Sequence, residues 1–210
     1  MYACNHMKRQ GTRRAVPDSG EAASRRRGAA LETALLDAAW EELRAVGYRN
    51  FTMDGVAARA GTAKTVLYRR WHSRAELVVA AIRRLFGSVS DRVPDTGSLR
   101  GDVLSLLRTL RDRYRKVGPD VLHGVTLELE HLPSSQFQII PDAMMTILER
   151  AAARGEARVE GVTPRMLALP GNLLRHEQML RRTTVSDAVL EEIVDDIFLP
   201  LVRTKRDAPR

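Results

Sequence analysis

The sequence predicts an all-α protein, in which an N-terminal three-helix helix-turn-helix domain precedes a larger C-terminal helical domain, with about nine helices in total. Three observations support this. Apolar residues recur at helical spacing along most of the chain, and glycine, proline and capping residues divide these stretches into helix-sized segments. No segment alternates as a half-buried strand does. A chain of 210 residues is long enough to bury one or two helical cores.

The chain opens on a polar stretch that is interrupted by Gly11, Pro17 and Gly20 and is rich in arginine. We therefore predict a disordered basic arm over residues 1–28. A first helix is expected near residues 29–46, ending at Gly47. Its apolar face comprises Leu31, Leu35, Ala38, Ala39 and Leu43.

Two short helices joined by a glycine turn follow. Thr52 can cap the first, whose inward residues are Val56, Ala57 and Ala60, and Gly61 can end it in a left-handed conformation. The second helix spans about two turns and points Val66 and Leu67 inward. Small alanines at the contact let two helices cross closely, which a helix-turn-helix requires.

The outward face of the second helix suits a polyanion. It carries hydrogen-bond donors, one aromatic ring and no acid, namely Lys64, Thr65, Tyr68, Arg69 and Arg70. Such side chains can contact DNA phosphates and reach base edges. The alternative is an ordinary helical hairpin with a solvated basic face. Arg69 and Arg70 could simply be solvated, and Trp71 suits the core better than a DNA contact.

The next helix is predicted over residues 73–86, before Gly87. Ser73 and Glu76 have the spacing of a capping box, in which each side chain accepts a hydrogen bond from a free backbone amide. Arg74 and the positive end of the helix dipole would together form a phosphate site. A plain helix start fits the same residues.

The basic residues are concentrated near the N-terminus. Residues 1–74 hold 14 Lys+Arg against 7 Asp+Glu, whereas residues 75–210 hold 20 against 19. The formal charge of +8 therefore lies mainly with the predicted DNA-binding part, so a generally cationic surface is not expected. The arm could enter an adjacent minor groove or act as a solvated tail that adds nonspecific affinity.

The segment around Pro94 and Gly97 marks the predicted domain boundary, with residues 29–92 forming the DNA-binding domain and residues 93–210 the C-terminal domain. Helices are predicted in the C-terminal domain over residues 99–117, 120–131, 134–154, 164–182 and 186–202. Pro141 could kink the third of these.

The last two predicted helices carry more apolar residues than a single buried stripe needs, so a second subunit is expected to cover them. A thick monomer core is the alternative. The predicted homodimer interface comprises Leu173, Leu174, Leu180, Val189, Ile193, Ile197 and Phe198. Two reader helices about 34–36 Å apart would then match one turn of DNA and recognise a palindrome.

A small-molecule effector site is expected among the inner faces of residues 99–154. Its candidate lining residues are Leu107, Tyr114, His123, Leu127, Phe137, Met144, Met145 and Leu148. The methionines would adapt to an apolar ligand, although for each of these residues plain core filling is the first alternative.

Enzyme activity is not expected, and neither is a cofactor or metal. His176-Glu177 begins like a zinc-protease helix but lacks the second histidine, and one cysteine supplies no cluster. No stretch is apolar enough for a membrane span or a secretion signal, so a cytoplasmic protein is expected. A nonspecific DNA-coating protein of the nucleoid is the main functional alternative.

One set of residues also has the spacing of a known family. It comprises Gly47, Tyr48, Thr52, Val56, Ala57, Ala60, Gly61, Lys64, Leu67, Tyr68, Trp71, Ser73 and Leu77. With these, residues 29–85 resemble the TetR family of bacterial one-component transcriptional regulators. The resemblance implies a dimeric, ligand-responsive repressor in which the last two helices pair with those of the partner.

The resemblance also assigns roles to single residues. It implies that Lys64, Thr65 and Tyr68 face the DNA, with Tyr68 on a phosphate, and that Thr52 and Arg74 lie against the flanking backbone. This chain departs from the family at Ala63, where serine is usual, so that a cap must come from Thr62 or be absent. It also has arginine where lysine is usual at position 74, which keeps the charge and changes the geometry.

Overall fold

The computed structural model describes residues 19–128, 139–180 and 184–203, with side chains described from Gly28 onward. These residues are helical except for turns, loops and one isolated bridge between Ala157 and Arg203. The all-α prediction is confirmed. None of the described helices is long and apolar enough to cross a lipid bilayer.

The described part of the chain forms ten α-helices. They are α1 Ser19–Asn50, α2 Met53–Arg59, α3 Lys64–Tyr68, α4 Arg74–Phe86, α5 Leu99–Val117, α6 Pro119–Leu127, α7 Ile139–Ala153, α8 Pro164–Leu180, α9 Asp187–Glu192 and α10 Leu199–Val202. A 3₁₀ turn, Ser90–Arg92, follows α4, and a π-helical segment, Ile193–Phe198, joins α9 to α10.

Helix α1 begins earlier than the sequence predicts. It starts at Ser19 rather than near residue 29, so residues 19–28 are helical and this part of the predicted disordered arm is wrong. Alanine, glutamate and arginine, which favour helix, dominate this stretch and outweigh its two glycines. Residues 1–18 of the predicted arm lie outside the described residues. The predicted stop is correct, because Gly47 has φ 71° and ψ 166° and interrupts the helix.

The predicted bounds of the later helices hold to within a residue where the structure describes them, except that α6 ends at Leu127, four residues before its predicted end, with Glu128 as its C-cap. Helix α5 matches its prediction at both ends, because Ser98 caps it and Gly118 ends it at a φ of 92°. The predicted helical residues 129–131, 134–138 and 181–182 lie outside the described residues. Pro141 lies in the first described turn of α7, where a missing N–H costs little.

The residues from Asp187 to Val202 form one C-terminal helical segment, and the wider π-helical turn within it has a local cause. Pro200 lacks an N–H, and its ring would clash with the carbonyl four residues earlier in a regular α-helix. The π-helical geometry of Ile193–Phe198 directly precedes it. Apolar residues of this segment, including Val194, Phe198 and Val202, remain fully buried.

Two hydrophobic clusters form the interior. The N-terminal cluster is built from α1 to α4 and includes Phe51, Val56, Leu67 and Trp71. The C-terminal cluster joins α5 and α7 to the last helices. Val117 and Val121, which the sequence assigns to the C-terminal domain, belong to the N-terminal cluster. Helix α6 therefore packs against α1 and α4 as well as against α5 and α8.

Candidate nucleic-acid interface

The turn between α2 and α3 is fixed by backbone hydrogen bonds. Thr52 caps α2, its Oγ1 accepting from the Gly55 amide at 3.1 Å. At the other end the Gly61 amide donates to the Ala58 carbonyl and the Thr62 amide to the Ala57 carbonyl. This is the Schellman arrangement, which needs a left-handed residue, and Gly61 has a φ of 62°. The predicted glycine turn is confirmed.

The inward faces of both short helices are buried as the spacing predicts. Val56 and Leu67 have no exposed surface, and Ala57 is also buried. Ala60 and Val66 pack against the same cluster while partly exposed. Trp71 is buried too, which places it in the core rather than at the DNA. Because its inward residues are anchored, α3 has little freedom to rotate.

The outward face of α3 is open to solvent. Lys64, Thr65 and Arg69 are exposed, and Tyr68 exposes 45% of its surface. Ala63 is exposed as the N-cap residue and makes no side-chain cap, so the cap that serine would supply is absent. Thr62 and Arg70 are half-buried at the two ends of the helix. The structure thus brings the predicted DNA-contacting residues of α3 onto one exposed surface.

An acidic residue that the sequence does not predict at this site, Asp54, lies beside the exposed face of α3. Lys64 Nζ donates to Asp54 Oδ2 of α2 at 2.7 Å and lies 5.7 Å from the Tyr68 ring. The hydrogen bond to Asp54 raises the pKa of Lys64. At the predicted contact, a DNA phosphate would have to compete with Asp54 for this ammonium group. Asp54 lies ten positions before Lys64, a spacing that suggests contact only once the crossing of α2 and α3 is known.

The start of α4 is capped nearly as predicted. Ser73 Oγ accepts from the Glu76 amide at 3.1 Å, whereas Glu76 Oε2 accepts from the His72 amide at 2.7 Å instead of the Ser73 amide. One half of the capping box is thus confirmed, and the other half is displaced by one residue.

Arg74 is engaged within the protein. Its Nε and Nη2 donate to Glu128 Oε1 at 3.0 and 2.6 Å, and its Nη1 donates to the Phe51 carbonyl at 3.3 Å. The guanidinium also lies 5.0 Å from the centre of the Tyr48 ring. The structure therefore places Arg74 at the junction with α6, and its contact with a DNA phosphate stays a prediction.

The predicted dimer interface separates into buried and exposed residues. Leu174, Ile193 and Phe198 are buried in the C-terminal cluster of the same chain, so their assignment to an interface is wrong. Leu173 and Val189 are half-buried, whereas Leu180 and Ile197 expose 68% and 36% of their surface. Leu201, which the prediction missed, exposes 38%. Helical periodicity identified apolar positions but could not tell the inner face from the outer one.

The predicted effector residues do not line one site. Leu107, Met144 and Leu148 have no exposed surface and belong to the C-terminal cluster, so their assignment to a pocket is corrected to core, and Met145 packs against that cluster. His123 and Leu127 line a cleft of about 710 Å³ between α1 and α6, on the junction with the DNA-binding helices. Phe137 lies outside the described residues.

Of the predicted effector residues, Tyr114 lines a chamber near the C-terminal end of α4. This chamber of about 190 Å³, named the inner chamber below, is partly open to solvent and is lined by apolar residues of α4, α5, α6 and α7, among them Val79, Leu110, Leu122 and Ile140. An outer cleft of about 580 Å³ adjoins it and shares Gly87, Ser88, Val89 and Arg113 as walls. Arg113 lines both the inner chamber and the outer cleft, and the helical periodicity of the sequence does not identify it as a lining residue.

Known families match both halves of the chain. The family described as bacterial regulatory proteins, tetR family, matches residues 35–81. The tetracyclin repressor-like C-terminal domain matches residues 93–197. The described residues contain no group of His, Cys, Asp and Glu side chains that could hold a metal ion.

Relatives cover most of the chain. A DNA-binding transcriptional repressor TetR of Mycobacteroides abscessus is 34% identical over 84% of this chain and 96% of its own length. A helix-turn-helix transcriptional regulator of Mycobacterium tuberculosis is 34% identical over 80% of this chain and 86% of its own.

Solved structures share the fold. SmeT, the repressor of the Stenotrophomonas maltophilia multidrug efflux pump SmeDEF, aligns with a TM-score of 0.51 at 19% identity, over 83% of this chain and 91% of its own. A TetR-family regulator of Agrobacterium tumefaciens aligns with a TM-score of 0.53 at 14% identity, over 83% of this chain and 98% of its own.

Proposed function

The chain belongs to the TetR family of bacterial transcriptional regulators, and on that premise we propose that it is a repressor, which binds a palindromic operator as a homodimer until a small-molecule effector releases it. The protein is a DNA-binding transcription regulator and not an enzyme. As a regulator of bacterial genes it would act in the cytoplasm, where the chromosome lies.

The observation that carries the proposal is the exposed face of α3. Lys64, Thr65, Tyr68 and Arg69 project from a helix whose opposite side is fixed by Leu67 in the core. A rigid helix that presents donors and an aromatic hydroxyl can enter a major groove and contact both phosphates and base edges.

Dimerisation is supported by exposed apolar residues on the last helices. In the single chain Leu180, Ile197 and Leu201 are exposed, and Leu173 and Val189 are half-buried. A second copy would remove these side chains from water and present two α3 helices to successive turns of DNA. One short helix alone contacts too few bases for a specific site.

Release by an effector is supported by the inner chamber. It touches α4, the helix that begins next to α3 at Ser73 and ends at the chamber wall. A ligand can lower operator affinity only to the extent that it binds the DNA-incompetent arrangement more tightly. Such an arrangement would change the spacing of the two α3 helices.

Footprinting on genomic fragments, combined with anisotropy titrations at physiological salt, tests the proposal. We expect discrete palindromic protected sites and a loss of operator affinity of more than about tenfold in the double variant Lys64→Ala, Tyr68→Ala. Arg165→Ala, an exposed residue of α8, serves as the matched control and should leave the affinity unchanged. Uniform protection of every duplex would instead indicate a nonspecific DNA-coating protein. Unchanged operator affinity in the double variant would contradict the assigned reader face.

A further inference from the structure

The inner chamber has an unusual distribution of charge. Its walls are mostly apolar, from Val79 and Ile82 of α4 to Tyr114 of α5 and Ile139 of α7. Its charged lining residues, within the described part of the chain, are Arg83 and Arg113, and none of its described lining residues is acidic. A ligand in this chamber would therefore meet mostly apolar surface together with positive and no negative charge.

Arg113 is poorly compensated for a half-buried cation. Its Nη1 donates to the Gly87 carbonyl at 3.1 Å, and no carboxylate of the described residues forms an ion pair with it. Burial lowers the pKa of Arg113, and the more distant Asp91 offsets this only in part. A guanidinium has five N–H donors, and a single backbone carbonyl satisfies few of them.

Each of the other arginines of α5 lies within ion-pair distance of a carboxylate. Arg100 pairs with Asp195, Arg108 and Arg111 pair with Asp187, and Arg115 lies near Asp112. Within the described structure, Arg113 is the arginine of α5 that lacks a carboxylate partner. It is also the one that lines the chamber.

We propose that the inner chamber binds a small organic acid, with the apolar body among the residues of α4, α5 and α7 and the carboxylate against Arg113. This inference rests on the proposed effector response and names the chemical class of the effector. A carboxylate would supply the charge partner that Arg113 lacks, and it could accept two parallel hydrogen bonds from the guanidinium. The chamber of about 190 Å³ lies below the range of about 300–1,000 Å³ typical of drug-sized ligands, which favours a small molecule or one that extends into the outer cleft.

The competing role for Arg113 is purely structural. Its hydrogen bond to Gly87 satisfies a carbonyl just past the end of α4, which a cationic side chain often does. That role predicts a loss of stability on substitution but no preference among ligands. The two roles are therefore separated by ligand selectivity rather than by stability.

The test uses the full-length protein and three probes with the same eight-carbon chain, namely octanoate, 1-octanol and octylamine, in calorimetric titrations without DNA. We expect octanoate to bind at least about tenfold more tightly than octanol, as a charge-assisted hydrogen bond implies, and octylamine to bind more weakly than either. Arg113→Gln should remove the preference for octanoate, and Arg113→Lys should retain part of it.

Arg115→Gln is the matched control, since it removes an exposed arginine of the same helix and should leave the preference intact. Circular dichroism and operator binding without ligand confirm that the variants fold. Equal affinities for octanoate and octanol, no binding of any probe, or a preference that survives in Arg113→Gln would overturn the inference. Octanoate that binds through Arg113 without changing operator affinity would support the ligand class and contradict the proposed release step, so the two failures are distinguishable.

Discussion

Arg74 and Glu128 join the DNA-binding helices to α6, since both Nε and Nη2 of the arginine lie within 3.0 Å of Glu128 Oε1. The pair lies over Tyr48, whose ring packs so closely on α6 that a Cβ at Gly124 would lie 2.0 Å from its Cδ1. Burial, with repulsion from Glu128, raises the pKa of the Tyr48 hydroxyl, so this ring stays neutral. A movement of α6 would therefore act directly on the start of α4.

Glu128→Gln should increase DNA affinity. Arg74 cannot hold Glu128 and a DNA phosphate with the same N–H groups, and removal of the carboxylate charge frees the guanidinium for the phosphate. We expect operator affinity to rise a few-fold and the salt dependence to steepen by about one phosphate contact, a slope of about −0.9.

Anisotropy titrations over a salt series measure both quantities. Glu149→Gln removes an exposed carboxylate of α7 and controls for the change in net charge. If Glu128→Gln and Glu149→Gln have the same salt slope, Arg74 does not reach a phosphate.

Gly124→Ala should loosen the junction. The new methyl group would overlap the Tyr48 ring, and overpacking of this kind costs about 1–3 kcal/mol of unfolding free energy. Urea unfolding gives the value. Gly28→Ala is the control and should cause no loss of stability, because its Cβ would meet nothing within 4 Å and alanine favours helix.

The double variant Tyr48→Ala, Gly124→Ala checks the cause of that loss. Without the ring, the alanine at position 124 should cost little more than Tyr48→Ala alone. Full additivity of the two losses would show that the ring and the glycine do not interact.

Features that depend on neighbouring residues were predictable from the sequence. Ser98 and Gly118 fixed both ends of α5, and Gly61 fixed the turn between α2 and α3, because caps and left-handed residues act within a few positions. The outward face of α3 followed from helical spacing in the same way. These local signals suffice for most of the helix ends and for the exposed face of α3, but not for the start of α1.

Features that depend on how helices cross were not predictable. Arg74 and Glu128 are 54 positions apart, and no pattern in either segment selects the other as its partner. Leu107 and Leu110 share one face of α5, yet only Leu110 lines the chamber. Periodicity identifies the buried side of a helix, but the cavities left between helices depend on their relative placement.

Charges placed at Ile197 and Leu201 should dissociate the proposed dimer. These exposed side chains lie four positions apart on the C-terminal helical segment, and lysines there would be buried without partners in a second subunit. We expect Ile197→Lys, Leu201→Lys to be monomeric by light scattering, to keep its helical content and to lose at least about a hundredfold in operator affinity.

Leu85→Lys changes another exposed leucine, on α4, and should remain a dimer. A monomeric wild type, or a double lysine variant that still dimerises, would place the interface elsewhere or remove it.

Acid should weaken the attachment of the C-terminal helical segment to α5. Asp187 accepts hydrogen bonds from Arg108 and Arg111, and Asp195 accepts two from Arg100 at 2.7 Å. These arginines lower the pKa of both aspartates below the ordinary value of 3.8. A carboxylate whose pKa is lower in the folded state stabilises the fold above its unfolded pKa, and the contribution disappears as the pH falls through the folded pKa.

The double variant Asp187→Asn, Asp195→Asn isolates this contribution. At pH 7 we expect its urea midpoint to be modestly lower than that of the wild type, because the side chains of Asp187 and Asp195 are 50% and 34% exposed and solvent weakens their three ion pairs. As the pH falls from 3.8 through the lower folded pKa values, the two midpoints should converge, since the wild type then loses the same ion pairs by protonation. Asp196→Asn changes an adjacent exposed aspartate and should follow the wild type at every pH. A gap between double variant and wild type that stays constant from pH 7 down to the lowest pH at which the wild type remains folded would mean that these ion pairs do not cause the acid sensitivity.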